Sequence, residues 1–242
     1  MKRATTVAMA VVVSLVVAAG ASAGVLGTVY SCMSSVSPGL TMSTWVTPYD
    51  TSWFNGLTGR CNMSYSNYSP GAPAVSGPAY CTEVEGWRLG SWYTMNIRPV
   101  SETPVSSGPA DTGYGPMGAA KAEALRELWG RFYALANDNV SCAAFQLAVW
   151  EITYEDLYVP TPPGWDVTVG KFKALDGGGN TTLAINQANT WLGQITGTGP
   201  KAVLYGLSLG GVQDVIVTPE PATMAFLSLG GIGLLLSRRR GK

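Results

Sequence analysis

Ala144-Phe145-Gln146-Leu147-Ala148-Val149-Trp150-Glu151-Ile152 places apolar side chains at Phe145, Ala148, Val149 and Ile152, the spacing of one helix face. The stretch predicts a helix over about 141–156. Towards the N-terminus, residues 117–136 are rich in Ala, Leu, Glu and Arg. There Leu125, Leu128, Trp129 and Phe132 repeat the same spacing, and Asn137-Asp138-Asn139 ends that helix. Towards the C-terminus come a Pro- and Gly-rich loop (159–164), an extended piece (165–174) and the turn Gly177-Gly178-Gly179. Asn180 or Thr181 then caps a third helix reaching Ile195, with its stripe at Ala184, Ala188, Trp191, Leu192 and Ile195.

Farther out the pattern is β. Residues 24–115 are rich in Gly, Ser, Pro, Thr and Tyr. Their β-prone pieces at 27–33, 60–65, 79–84 and 92–97 are separated by turn signals such as Ser69-Pro70-Gly71 and Ser76-Gly77-Pro78. Two more β-prone runs, 202–209 and 212–217, close the domain. The expected class is α+β: a β-rich, barrel- or sandwich-like N-terminal part (24–115), then a helical subdomain of about three helices with closing strands (116–217).

The two ends carry targeting signals. Met1-Lys2-Arg3, an apolar run over about 7–19 and the small-residue site Ala21-Ser22-Ala23 make a secretory signal peptide, 1–23, cut after Ala23 by signal peptidase. The apolar run is shorter than the ~20 residues that a spanning helix needs. In the tail, 218–242, Pro219-Glu220-Pro221 precedes an apolar stretch over 222–236, then Arg238-Arg239-Arg240. As a helix that stretch covers about 22 Å, enough with its flanks to sit transiently across the inner membrane with its basic end inside. Triplet, hydrophobic helix and arginine cluster in that order resemble the PEP-CTERM sorting signal. The resemblance implies processing by an exosortase and delivery to the cell surface or extracellular matrix of a Gram-negative-type bacterium.

Charge and composition exclude several functions. Between the two ends lie nine Lys/Arg and fourteen Asp/Glu, a net charge of −5, so there is no basic surface for nucleic acid. The chain has no histidine, which removes the usual general base and the usual metal ligand. No phosphate-binding glycine loop occurs, and no cofactor or metal is implied. The close acid pairs, Glu83 with Glu85 and Glu155 with Asp156, are not distinctive. Four cysteines, Cys32, Cys61, Cys81 and Cys142, enter an oxidising compartment, where disulfides are the default. Cys32 and Cys61, both in the β-rich half, are the expected pair.

Phe145, Gln146, Ala148, Val149 and Trp150 also fill every slot of the glutamine motif of bacterial thioester domains: apolar, Gln, any residue, Ala, apolar, Trp. Ala79-Tyr80-Cys81-Thr82-Glu83 resembles the family's second motif, a cysteine after an aromatic residue on a strand. The order continues through 165–172, Ala188 to Leu192, and Gln213-Asp214 before the tail. The resemblance implies an internal thioester between Cys81 and Gln146, with Trp150 shielding it from water. It further implies a surface adhesin that joins covalently to an amine or hydroxyl of a surface glycan or protein, once per molecule and so without turnover. Cys142, four residues before Gln146 on the same helix face, is the alternative thiol. Two other functions stay open: a structural matrix protein of the same fold without the thioester, and a glycan-binding domain, which the eight tryptophans and eleven tyrosines would suit.

Overall fold

A computed structural model describes residues 24–47, 53–84, 89–106, 114–155 and 164–220. The signal peptide with Ala21 and Ala23, and the tail from Pro221 onward with Arg238, Arg239 and Arg240, lie outside the described residues. In chain order the elements are β1 (Gly27–Val46), β2 (Phe54–Ser66), β3 (Val75–Cys81), β4 (Trp92–Pro99), β5 (Pro104–Ser106), β6 (Tyr114–Pro116), α1 (Gly118–Phe132), α2 (Asn139–Tyr154), β7 (Phe172–Ala174), α3 (Asn180–Leu192), β8 (Tyr205–Leu209) and β9 (Val212–Pro219). No helix among the described residues is long and apolar enough to cross a membrane.

Seven antiparallel strands run in the order β2-β3-β9-β8-β4-β1-β7, and β1 also pairs with β2. That extra ladder joins the two sides of the sheet, so six strands form a ring and β7 extends from β1. The last two strands complete the ring by sitting between β3 and β4. The class is thus α+β and barrel-like, as the patterning implies. A separate two-stranded ladder joins β5 and β6.

The second half of β1 lies beyond the predicted strand at 27–33. Its register shifts at Met33/Ser35 and again at Val36/Gly39, which accommodates Pro38 in a long strand. Gly39 lies opposite Gly59, and the strands touch there: a β-carbon on Gly59 would stand 2.6 Å from the Gly39 α-carbon. After the shifts, β1 leaves β4 behind and pairs with β7 through Thr44–Ala174. The predicted extended piece at 165–174 is a strand only at this β7 end.

Helix α2 packs against β1, β2, β3 and β7 on one side and against α1 and α3 on the other. Every residue from Ser141 to Tyr154 is buried, so it is a central helix rather than a one-faced one. Asp138 starts it rather than ending α1. Its carboxylate accepts from Ser141 N (2.8 Å), and Ser141 Oγ accepts from Asp138 N (3.0 Å), a reciprocal capping box. Phe145 is wholly buried among Tyr80, Trp129, Tyr133 and Trp191, with ring centroids 4.5 to 6.1 Å away. That burial contributes roughly 1.5–3 kcal/mol.

Candidate functional site

Four side chains of α2 bind the main chain of residues 81–84 where β3 ends. Gln146 Oε1 accepts from Cys81 N (2.9 Å), and Gln146 Nε2 donates to Cys81 O (2.8 Å). Trp150 Nε1 donates to Glu83 O (2.9 Å), and Thr153 Oγ1 donates to Thr82 O (3.1 Å). The Tyr154 hydroxyl accepts from Val84 N (3.1 Å). On the other flank, Thr82 N donates to Asp214 O (2.9 Å), Asp214 N to a Glu83 carboxylate oxygen (3.1 Å), and Gln213 Nε2 to Glu83 O. Buried main chain outside a regular strand must find such partners, and here α2 and β9 supply them.

The structure therefore brings Cys81, Gln146 and Trp150 together. They are 5%, 1% and 3% exposed. All three line a cavity of about 350 Å³, shared with Cys61, Gln213 and apolar side chains that include Met33 and Phe54. The residues before the pair also meet: Tyr80 packs on Phe145, which explains why an aromatic residue precedes the cysteine and an apolar one precedes the glutamine. The hydrogen bond with Cys61, together with burial, holds the Cys81 thiol well above the usual thiol range.

Cys142 is elsewhere. Its thiol donates to Ala136 O (3.2 Å) at the end of the preceding turn, and it does not line this cavity. The expected Cys32–Cys61 pair is not formed, and this corrects the sequence reading. Cys32 stands opposite Ser64, whereas Cys61 stands opposite Val36. Three residues along β2 separate Ser64 from Cys61, roughly 10 Å at strand rise, too far for a disulfide. All four cysteines are free and buried, and the sulfur beside Cys61 is that of Cys81, at 3.4 Å. The acids of the two close pairs that are described hold main chain: Glu83 takes Asp214 N, and Glu155 Oε1 takes the N–H groups of Lys171, just before β7, and of Phe172, its first residue. Of the tryptophans considered for sugar stacking, Trp129, Trp150 and Trp191 are buried.

Sequence reasoning missed Cys61, Thr153, Tyr154 and Gln213 as parts of this site. A signal existed for two of them. Thr153 and Tyr154 follow Gln146 by seven and eight residues, so they share its helix face with Trp150.

Fold and tail define the class: an α+β barrel on a chain marked for export to the cell envelope or surface. Residues 217–240 match the family model of the PEP-CTERM protein-sorting motif, which implies exosortase processing. The N-terminal thioester domain of fibronectin-binding protein SfbI from Streptococcus pyogenes is a structural neighbour, with a TM-score of 0.36 and 10% identity, covering 78% of this chain and 97% of that one. An overlap that loose carries no argument about the site. A search of curated proteins found no significant match.

Proposed function

We propose that this exported protein is an adhesin that attaches covalently to a partner through a Cys81–Gln146 thioester. The observation that carries the reading is the two-point grip of the Cys81 main chain on the Gln146 carboxamide, both residues buried at the base of a cavity. An amide is a poor electrophile, and sulfur must be held against its carbon at about 3–3.5 Å. Here the thiol belongs to the residue that holds the amide. As Cys81 Sγ attacks Gln146 Cδ, Oε1 gains negative charge, and the Cys81 N–H already donates to it. The C–N bond breaks, the thiol proton leaves with the departing nitrogen, and ammonia is released. Burial and Trp150 keep water from the thioester. A partner amine or hydroxyl, on a surface glycan or protein, then attacks the same carbon. The C–S bond breaks, Cys81 regains a proton, and the partner is left joined to Gln146. Each molecule reacts once, so there is no turnover.

The tail supports the setting: transient insertion in the inner membrane of a Gram-negative-type bacterium, then exosortase cleavage near Pro219-Glu220-Pro221. Intact mass of the exported chain tests the chemistry. The wild type is expected to be lighter by one ammonia and to form an adduct with methylamine, while Cys81→Ala does neither. A wild type of full mass that ignores methylamine overturns the reading. The same two hydrogen bonds then belong to a non-covalent matrix protein. An adduct lost only in Cys142→Ala moves the chemistry to the other thiol.

A further inference from the structure

Cys61 is not part of the attachment chemistry, yet its sulfur lies 3.4 Å from that of Cys81. The contact follows from register. β2 and β3 pair with Cys61 opposite Ala79, so Cys81, two residues further on, is the diagonal neighbour on the same sheet face. Both side chains are buried, at 1% and 5% exposure, and both line the cavity that holds Gln146. Neither of the other thiols competes: Cys142 is turned to Ala136 O, and Cys32 sits opposite Ser64 on β2 and Trp92 on β4.

We propose that Cys61 and Cys81 form a disulfide, and that this bond is the alternative fate of Cys81 in the exported protein. Closing the contact from 3.4 Å to the ~2.05 Å of an S–S bond takes side-chain movement of roughly 1.4 Å. The two thiols lose two protons and two electrons. A disulfide oxidant of the exported compartment, either a dithiol oxidase or a small-molecule disulfide, takes them up and is reduced to two thiols. A Cys81 sulfur bonded to Cys61 cannot attack Gln146, and a Cys81 acylated by Gln146 leaves Cys61 a lone thiol. The redox state reached before the thioester closes thus decides whether the molecule is armed. This second half rests on the thioester reading; the disulfide does not.

The test uses the full exported chain, with free thiols trapped by a maleimide in acid, before and after exposure to oxidised glutathione. Molecules that keep the Gln146 ammonia are expected to be lighter by two hydrogens and to give a peptide pair joined through Cys61 and Cys81. A phosphine reductant should abolish that pair and raise the methylamine-reactive fraction. Cys61→Ser should lose the two-hydrogen species entirely. Gln146→Ala, which has no acyl partner, should go fully to the linked pair. Both sulfurs remaining alkylated in wild type and in Gln146→Ala after oxidised glutathione overturns the proposal, as does Cys61 joined to Cys32 or Cys142. A Cys61–Cys81 pair in a protein that never loses ammonia, even when reduced, leaves the disulfide standing and removes the thioester instead.

Discussion

Gln146 and Glu127 are alike in one respect: each is a polar side chain sealed on a helix, bonded to the main chain of a distant segment. Glu127 is wholly buried and accepts from Thr196 N (3.0 Å), Gly197 N (2.7 Å), the Thr196 hydroxyl and Arg131 Nε (2.8 Å). Three of these four bonds tie α1 to the turn after α3, and no thiol is among its partners. Gln146 bonds both the N–H and the C=O of a single residue, and that residue carries a thiol into a cavity. Two equally buried polar anchors therefore differ in what stands beside them. Burial of a polar group does not by itself mark a site; under the proposed thioester, the thiol beside Gln146 is what sets the two anchors apart.

The comparison breaks most visibly on Gln146→Ala. All methylamine adduct should vanish, and stability should fall by about 2 kcal/mol because the Cys81 main-chain groups lose their partners; intact mass and a denaturant curve read the two effects. Glu127→Ala should cost about 2–3 kcal/mol, since the Thr196 and Gly197 N–H donors are left unpaired and Arg131 loses its carboxylate partner. Its adduct yield per folded molecule should be unchanged. A loss of adduct there, measured on the folded fraction, would erase the distinction between the two anchors.

Glu151 sharpens the contrast from a third side. It is buried next to Trp150, one carboxylate oxygen accepts from Asp166 N (3.0 Å), and the other has no partner. Burial first, then the charge of Glu155, pushes it up to about 9. A free glutamate titrates near ~4.3. Between those values the folded chain holds a proton that the unfolded chain has lost, so stability falls as pH rises through that window. Thermal melts of Glu151→Gln should be flatter from about pH 5 to pH 9, and more stable at the alkaline end by roughly 1–2 kcal/mol. A melt that tracks the wild type at every pH contradicts this. The smallest effect belongs to Asp138→Ala, which removes the α2 cap at a cost of about 1 kcal/mol, read by denaturant melt, with the adduct retained.

The three helices were legible because their apolar spacing is local, and α2 announced itself through Phe145, Ala148, Val149 and Ile152. Cys81, Gln146 and Trp150 were legible as a motif, and the structure brings them together. The Cys61 contact was not legible. Whether a cysteine on β2 faces Cys81 or Cys32 depends on register, and register follows from turn geometry and bulges that no short pattern encodes. The second half of β1 was hidden for a related reason. Pro38 and Gly39 argue against a strand locally, and only the bulges and the close Gly39–Gly59 approach admit them. Asp138 alone reads equally as a stop or a start, because Asn and Asp serve both ends of helices; the capping box at Ser141 decides for a start.

β9 ends at Pro219, where the sorting motif has already begun, and it lies between β3 and β8 with Val75 opposite Pro219. No slack chain separates the triplet from the barrel. If the cell holds this protein from that end while a partner is bonded at Gln146, a pull is delivered along the length of β9. The ladders to its two neighbours then resist together, in shear, rather than opening one rung at a time. Under that attachment, the strand that leads to the sorting motif is also the one that carries the load.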